Sequence, residues 1–356
     1  MKSVIVVGGG AIGLFCAVRL RKGGARVQLL DSGDEHPTYH TPIASATAGG
    51  MLAPIADVAS AHEKVALESF ALWRFLFEGA EWADGVRFDG GVVVRDTQAQ
   101  AEALARNAAR LGQKASALSG AAFRKLTGFR AKVDHALFID AEGTVDPLRV
   151  LTGLAMQAHA LGVLRYYNTD VASVTANSVT THEDKVFEAD AVVLAPGAWS
   201  TDKIKAAAPV LKHIRGGKGH IAKIELDHRL RPNLRAGDFY IADRREDTVL
   251  GATFEYDRYD WGVNRELVGQ IEAAVERLLP GEVKPTGKVW TGIRAMSPDG
   301  WPMIGPISQG LYIAAGHSRD GWLMAPITAE IITAYVFGRP IPPEWAALSP
   351  QRFNDA

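Results

Sequence analysis

The N-terminus of the chain carries the pattern that most restricts its fold. Val4 to Val7 is a continuous apolar run, typical of a strand buried on both faces of a parallel sheet. Three successive glycines interrupt this run, and the apolar spacing of residues 11–22 then predicts a helix. Residues 26–30 have the pattern of a second short strand, which ends at Asp31. Together these segments predict a βαβ unit that begins almost at the first residue.

The turn of this unit has the spacing G-x-G-x-x-G at Gly8, Gly10 and Gly13. In such a turn the first glycine allows a tight bend, the second lets the backbone approach a pyrophosphate, and the third allows close helix–strand packing. The helix start offers free N–H groups to phosphates, and Asp31 stands where a ribose-binding acid is expected. The pattern predicts a dinucleotide site; the alternative is a structural turn with a solvated aspartate.

The motif itself fits FAD and NAD equally, but two features favour FAD. The chain contains one such fingerprint, so a second site for a nicotinamide partner is not evident. Residues 189–200 also have the pattern of a buried strand followed by a small-residue turn, which could pass close to the same dinucleotide. Any sheet strand would show this second pattern equally well.

Size and composition fit a globular protein of two domains. The chain has 356 residues, of which 47% are hydrophobic and 22% charged, and its formal net charge is -1. A near-neutral chain without a long basic run is not expected to bind nucleic acid or an anionic membrane surface. No segment reaches the roughly 20 apolar residues of a membrane helix. Because no linker-like segment is visible, we expect the two domains to be interleaved.

Cysteine content limits the possible metal sites and suggests a compartment. Cys16 is the single cysteine, which excludes an internal disulfide and a cysteine-cluster metal site. We expect no metal and a cytoplasmic location, because a reducing compartment suits such a chain. A signal peptide is not expected, since glycines break the short apolar stretch at the N-terminus.

Patterns further along the chain predict alternating helices and strands. Asp146 followed by Pro147 is a typical helix start and predicts a helix over residues 148–161. The alternation of apolar and polar residues over 221–253 predicts antiparallel strands. Short strands are predicted at 289–293 and 311–315, and a last helix from Pro326 to Phe337.

Several segments together resemble the D-amino-acid oxidase family, and within it the glycine oxidase and sarcosine oxidase branch. They are the N-terminal fingerprint, SATAGGML at 45–52, APGAWS at 195–200, WTGIR at 290–294, SPDGWPMIG at 297–305 and GHSRDGWLMAP at 316–326. The likeness covers nearly the whole chain in the same order, and it is weakest between about residues 90 and 138.

The resemblance implies an α/β fold in which a Rossmann-type FAD-binding domain is interleaved with an α+β substrate domain built on a mixed or antiparallel sheet. The FAD-binding domain is then expected at 1–84, 139–210 and 288–356. The substrate-binding domain is expected at 85–138 and 211–287.

The resemblance also implies a reaction. A hydride leaves the carbon next to the amine for the flavin, an imine forms, and water hydrolyses it to an oxo acid and ammonia or an amine. In an oxidase, dioxygen then accepts the electrons and becomes hydrogen peroxide. The flavin carries the chemistry, and the protein supplies binding, orientation and electrostatics.

Arg294 is the principal candidate for binding the substrate. It follows a predicted strand in an apolar stretch, where an unpaired guanidinium is costly. From the residues alone, an internal ion pair would satisfy it as well as a substrate carboxylate would. The resemblance implies the carboxylate, held by two charge-assisted hydrogen bonds. It also implies that Tyr240 helps to hold this carboxylate and that Arg319 borders both flavin and substrate.

The motif and the resemblance imply a larger set of residues around FAD. They are Gly8, Gly10, Ala11, Ile12, Gly13, Asp31, Ser32, Ala48, Gly49, Gly50, Met51, Val171, Ala195, Gly197, Trp199, His317, Arg319, Asp320, Gly321, Trp322 and Leu323. We interpret His317 as structural or flavin-contacting, because hydride transfer from a neutral amine needs no protein base. Lys218 and His220 are left open, with packing or solvent contacts as the default. Cys16 lies in the first helix, far from the expected flavin ring, so we predict non-covalent FAD.

Three positions depart from the glycine oxidase pattern and leave the substrate open. Ser318 replaces an aromatic residue, Asp320 an asparagine, and Trp322 a smaller aliphatic residue. A further cation near the site, such as Arg319 or Lys218, could accept a second carboxylate. The candidate substrates are therefore glycine, N-substituted glycines such as sarcosine or iminodiacetate, and small D-amino acids.

Two alternative functions remain compatible with the sequence. One is a dehydrogenase of the same fold that passes electrons to a quinone or a carrier. The other is a flavin-binding module without turnover, although retention of Arg294 and Tyr240 argues against it. A homo-oligomer is expected by analogy alone.

Overall fold

The strands fall into sheets of two different kinds, one mainly parallel and the others mixed or antiparallel. The computed structural model describes residues 1–41, 43–56, 59–237 and 239–353. In chain order its strands are β1 (Ser3–Val7), β2 (Arg26–Leu30), β3 (Met51–Leu52), β4 (Val86–Arg87), β5 (Gly91–Val94), β6 (Ala115–Leu118), β7 (Ala136–Ile139), β8 (Gly143–Val145), β9 (Leu164–Tyr166), β10 (Val171–Val174), β11 (Ser178–Thr181), β12 (Val186–Glu188), β13 (Ala191–Leu194), β14 (Arg215–Glu225), β15 (Asn233–Ala236), β16 (Phe239–Asp243), β17 (Thr248–Gly251), β18 (Glu255–Tyr256), β19 (Lys284–Met296), β20 (Met303–Ser308) and β21 (Leu311–Ala315).

The helices alternate with these strands, mostly in the part of the molecule that contains the mainly parallel sheet. They are α1 (Ala11–Lys22), α2 (Ala44–Thr47), α3 (Glu63–Phe77), α4 (Gln98–Arg110), α5 (Gly120–Thr127), α6 (Pro147–Ala160), α7 (Asp202–Ala207), α8 (Arg265–Leu278), α9 (Gly321–Phe337) and α10 (Pro343–Ala346). Short 3-10 turns lie at Ala83–Gly85, Pro209–His213 and Pro350–Phe353.

The mainly parallel sheet has six strands in the order β20-β21-β13-β1-β2-β9. Strand β1 pairs in parallel with both β2 and β13, and β20 joins the edge antiparallel to β21. One face is covered by helices that bury Phe15 and Trp73, and the other by the small sheet β10-β11-β12, which contributes Val179 and Phe187. Both faces are therefore dry, which explains the continuous apolar run at the start of the chain.

The mixed sheet has nine strands and supplies the second half of the molecule. Its order is β18-β14-β17-β16-β15-β5-β7-β6, with β19 paired along β14, and β15 runs parallel to β5. Helix α8 buries Val268, Ile271 and Val275 in the core beneath it. The predicted fold class, a Rossmann-type part combined with a mixed sheet, is confirmed.

Strand β19 crosses a boundary of the predicted domains. It pairs with β14 from Lys284 to Met296, so its whole length belongs to the nine-stranded sheet, although the boundary was expected at residue 288. A long β-strand cannot be divided between domains without breaking its ladder. The division into domains otherwise stays a prediction, and residues 42, 57, 58, 238 and 354–356 lie outside the described residues.

The last helix begins earlier than predicted. Helix α9 starts at Gly321 and contains Pro326, at which the sequence analysis expected the helix to begin. A proline inside a helix leaves the carbonyl four residues before it without a donor. Here that carbonyl belongs to Trp322 and accepts a hydrogen bond of 2.9 Å from the Trp73 indole N–H. Because a side chain of α3 replaces the lost bond, the helix continues through the proline.

Candidate active site

A cavity of about 1800 Å³ lies between the two large sheets. One wall is formed where β1, β2, β13 and β21 end, the edge at which parallel sheets usually bind ligands. The other wall is formed by residues of β14, β16 and β19. Every residue that the sequence analysis assigned to FAD or substrate lies on the cavity wall, except Ala11 and Gly13.

Ala11 and Gly13 shape the glycine turn instead of lining the cavity. Gly8 has φ +108°, and a Cβ atom there or at Gly13 would collide with a backbone carbonyl, that of Ala195 or of Gly8 respectively. The N–H group of Ala11 donates to Ser45 Oγ at 3.0 Å, so it is not free for a ligand. The predicted contacts of Ala11 and Gly13 with FAD are therefore corrected: both residues support the glycine turn and do not line the cavity.

The start of α1 presents unused hydrogen-bond donors to the cavity. Within the part of the chain that the structure describes, no acceptor is found for the backbone N–H groups of Gly10 and Ile12, which both line the cavity. Asp31 accepts hydrogen bonds from the N–H groups of Gly9 and Gly33, and burial raises the pKa of its carboxyl while these bonds lower it. Free donors at a helix start bind phosphate, so this end fits a dinucleotide.

A second glycine-rich segment, which contains Gly49 and Gly50, continues the cavity wall toward the mixed sheet. Gly50 has φ +85°, and a Cβ atom there would collide with the carbonyl of Val145. A Cβ atom at Gly49 would collide with the Tyr240 hydroxyl. The bare backbone therefore lets Tyr240 and the carbonyl of Val145 approach this segment closely.

Arg294 lies on β19 with its guanidinium packed over the bare backbone of Gly219. Its Nη1 atom is buried and has no hydrogen-bond partner, and no ion pair to Arg294 is found among the described residues. Burial lowers the pKa of this guanidinium, with Arg319 adding to the decrease and Tyr240 opposing it. The internal ion pair considered as an alternative is thus not seen within the described ranges.

Tyr240 lies on β16, where it packs over Gly251 of β17. Burial raises the pKa of its phenol, and the cations of Arg294 and Arg244 partly offset this. The hydroxyl therefore stays protonated at neutral pH and can donate a hydrogen bond to an anion. Arg294 and Tyr240 lie on the same cavity wall, so one bound carboxylate could accept from both.

The loop before α9 supplies the remaining predicted residues. His317 is buried, its Nε2 lies 3.0 Å from Thr328 Oγ1, and burial lowers the pKa of its ring to about 3. It is therefore neutral and fixed, which agrees with its interpretation as a structural residue. Arg319 is exposed on the cavity wall and forms no ion pair with a described residue. Trp322 donates its indole N–H to the carbonyl of Ser45 at 3.0 Å.

Lys218 is not a free cation of the site. It is only 1% exposed, and its Nζ pairs with Asp260 at 2.6 Å and with Glu255 at 3.9 Å. His220 is also buried, with Nδ1 2.6 Å from Thr253 Oγ1 and Nε2 accepting from the Asn264 N–H. The suggestion that Lys218 accepts a second carboxylate is therefore wrong, because acidic residues already surround its ammonium group.

Sequence analysis missed several residues of the wall. Trp261 lines the mouth, stacked on Trp199 with ring centres 5.9 Å apart, and Phe254 places its ring 5.9 Å from Arg294 Cζ. Arg235 of β15 also lines the cavity. Strand pairing brings Arg235 beside Tyr240. Phe254 and Trp261 lie in loops, and no local motif connects them with the rest of the site.

Asp320 gives the stability of the protein an expected dependence on pH. Burial raises the pKa of its carboxyl to about 6, although Arg319 and Arg235 lower it. The unfolded chain releases this proton near 3.8, so the folded state holds more protons between these values. Stability therefore falls as pH rises from about 4 to about 6 and stays reduced above that.

The variant Asp320→Asn cannot ionise and should escape this loss. We expect it to be more stable than the parent at pH 7.5, by up to about 3 kcal/mol, and equal to it near pH 4. Urea unfolding at both pH values measures the difference, with the exposed Asp134→Asn as control. An equal gain at both pH values would exclude ionisation as the cause.

Dinucleotide donors on one wall of the cavity, with a glycine-rich segment and a buried arginine on the opposite wall, define a nucleotide-dependent oxidoreductase site. The family model DAO, described as FAD dependent oxidoreductase, matches residues 3–335. The chain belongs to this family of FAD-dependent oxidoreductases. The predicted family, the enzyme class and the FAD cofactor are thereby confirmed, and the free N–H groups beside Asp31 fit that cofactor.

Individual relatives extend this comparison. The glycine oxidase of Pseudomonas putida is 28% identical over 355 residues, which cover 95% of each chain. The D-amino acid dehydrogenase of Rhizobium johnstonii is 32% identical over 222 residues, covering 59% of this chain and 52% of the relative. The crystal structure of glycine oxidase from Geobacillus kaustophilus has a TM-score of 0.85 at 25% identity and covers 99% of both chains.

Membrane-spanning helices and metal-binding clusters are absent from the described residues. No helix in the described ranges is both long and apolar enough to cross a membrane. No group of three or more His, Cys, Asp or Glu side chains in the same ranges is arranged to hold a metal ion. Cys16 is buried in α1 and does not line the cavity.

Proposed function

We propose that the protein oxidises the amine of a small amino acid to an imine. The observation that carries this proposal is the buried Nη1 of Arg294, which lacks a partner among the described residues and shares a cavity wall with the Tyr240 hydroxyl. A buried donor without an acceptor costs about 1–3 kcal/mol, more when it is charged. A substrate carboxylate would remove this cost.

Each residue has a definite task in this proposal. Arg294 donates two hydrogen bonds to the carboxylate, and Tyr240 donates a third, so the α-carbon is held in a fixed position. Arg319 adds positive charge to the same cavity. When bound, FAD supplies the acceptor for the hydride that leaves the α-carbon. The lone pair of the neutral amine forms the C=N bond as the hydride leaves, and water hydrolyses the imine to an oxo acid and ammonia or an amine.

His317 takes no proton in this scheme. Its ring is neutral and engaged with Thr328, and a substrate that binds with a neutral amine has already lost the proton that a base would remove. FAD is held by the free N–H groups of Gly10 and Ile12 and by Asp31, without a covalent bond. We therefore assign catalysis to positioning and charge instead of to a protein acid or base.

The substrate range includes glycine, sarcosine, iminodiacetate and small D-amino acids. Relatives named glycine oxidase support an amino acid substrate and dioxygen as electron acceptor, which gives hydrogen peroxide. The second candidate is transfer to a quinone or carrier, which the relative named D-amino acid dehydrogenase supports over part of the chain. We place the enzyme in the cytoplasm. The expectation of a homo-oligomer rests on analogy alone.

The test mixes the yellow protein with glycine, sarcosine, iminodiacetate, D-alanine, D-aspartate and D-proline. Without oxygen, bleaching of the flavin identifies a substrate; with oxygen, peroxide identifies an oxidase. Bleaching without peroxide would support the carrier-dependent alternative. If the protein holds FAD and no amine bleaches it, the proposed reaction is wrong.

A further inference from the structure

Arg235 is a second arginine of the cavity wall that lies beside Tyr240. It belongs to β15, and the β15–β16 ladder pairs Arg235 directly with Tyr240. Residues directly opposite in antiparallel strands point to the same face, with Cβ atoms about 5 Å apart. Both side chains therefore face the same cavity, which both line.

The Arg235 guanidinium is only partly used by the protein. Its Nη2 pairs with Glu142, a fully buried carboxylate, and lies 3.5 Å from the carbonyl of Ile55. Its Nε is buried and has no hydrogen-bond partner. A guanidinium carries five N–H donors, and within the described residues only Nη2 has protein acceptors. Because Nε is buried, Nη1 is the donor that remains for a ligand.

Guanidinium groups are concentrated in this part of the cavity. Three of them lie on its wall, and two carboxylates accompany them. They are Arg235, Arg294 and Arg319, with Glu142 and Asp320. Asp320 interacts electrostatically with both Arg235 and Arg319, which connects the two sides of the group. Arg244, also near Tyr240, is already paired with Asp247 at 2.6 Å.

The unused donors of Arg235 distinguish between classes of amino acid. An amino acid with one carboxylate and a neutral amine, such as glycine, adds one negative charge, which Arg294 accepts, and leaves Arg235 without a ligand. A second carboxylate adds a further negative charge that can pair with Arg235. Such charge complementarity selects between ligands, because the same group left unpaired in a low-dielectric cavity is costly.

We propose that Arg235 forms a second carboxylate subsite and that the preferred substrate is an amino acid with two carboxylates. This inference rests on the proposed function. Arg294 and Tyr240 hold the carboxylate next to the reacting carbon, and Arg235 holds the distal one. The distal carboxylate can be attached to the nitrogen, as in iminodiacetate, or to the side chain, as in D-aspartate. The chemistry of recognition is the same in both.

Binding of unreactive analogues tests the subsite without turnover. Diglycolate and methoxyacetate have an ether oxygen in place of nitrogen and differ in one carboxylate; succinate and propionate form the corresponding side-chain pair. Their Kd values are measured on the FAD-loaded protein by the change in flavin absorbance. We expect the two-carboxylate member of at least one pair to bind at least about tenfold more tightly, the effect of one charge-assisted hydrogen bond.

Substitution of Arg235 should remove this preference selectively. Arg235→Gln leaves the buried Glu142 without its partner, so the double variant Arg235→Gln/Glu142→Gln removes both charges and protects folding. We expect it to bind diglycolate or succinate about tenfold more weakly and to bind methoxyacetate and propionate within about twofold of the parent. Arg245→Gln, at an exposed arginine paired with Asp84 away from the cavity, should change neither.

Turnover then separates the two sources of the second carboxylate. The ratio of kcat/KM for iminodiacetate over sarcosine tests attachment to nitrogen, and the ratio for D-aspartate over D-alanine tests attachment to the side chain. Equal binding within both analogue pairs, or a preference that survives in the folded double variant, would overturn the subsite. If the subsite is overturned in this way but glycine still bleaches the flavin, the proposed oxidation stays intact.

Discussion

Arg294→Ala should lower kcat/KM for every amino acid substrate by about two orders of magnitude or more. The guanidinium is buried, its Nη1 has no partner among the described residues, and it lies on the cavity wall beside Tyr240. Removing it deletes two charge-assisted hydrogen bonds, each worth about 1.5–3 kcal/mol, and about 1.4 kcal/mol corresponds to a factor of ten. The effect is measured by steady-state kinetics on whichever amine bleaches the flavin.

Two controls assign this loss to the carboxylate. Arg294→Lys keeps the charge but loses the planar fork, so it should recover only part of the activity. FAD content should stay unchanged in both variants, because the nucleotide donors lie at the other end of the cavity. An Arg294→Ala enzyme with the parent kcat/KM would remove this residue from the site.

Gly13→Ala should remove most of the bound FAD and destabilise the fold, whereas Gly269→Ala should do neither. Both glycines lie in helices, α1 and α8, with ordinary helical backbone. A Cβ atom at Gly13 would collide with the carbonyl of Gly8, while at Gly269 no atom lies within 4 Å. Alanine is favoured over glycine in a helix by about 1 kcal/mol, so the two substitutions have the same intrinsic effect and differ in the collision.

The comparison is read from the yield of yellow protein and from thermal unfolding. Gly269→Ala should be at least as stable as the parent and fully loaded with FAD. Gly13→Ala should lose several degrees of Tm and most of its flavin, because α1 must move away from the turn that holds the phosphates. Normal flavin content in Gly13→Ala would show that the helix tolerates displacement.

Local patterns predicted the nucleotide half of the molecule well. The helix expected at residues 11–22 and the strand expected at 26–30 have these bounds in the structure. Asp146 caps α6 through the N–H of Arg149, as its sequence pattern indicates. These features depend on residues a few positions apart, so the sequence contains nearly all the information that fixes them.

Features that depend on distant partners could not be predicted in the same way. Helix α9 passes through Pro326 because Trp73 supplies a donor from 249 positions away. Lys218 is neutralised by Asp260, 42 positions further on, and nothing local distinguishes it from a free lysine. Arg235 becomes a site residue only through its pairing with Tyr240. The family resemblance implied a shared role for Arg294 and Tyr240, which no spacing rule would have connected.

Ser45 connects two parts of the cavity that are far apart in the chain. Its hydroxyl accepts from the backbone of Ala11, and its carbonyl accepts from the indole of Trp322. Local opening of one segment therefore removes hydrogen bonds from the other, which makes the two a single cooperative unit. A cofactor that stabilises the first turn by mass action therefore also stabilises the start of α9. The supply of flavin and the integrity of the substrate pocket are thereby thermodynamically linked.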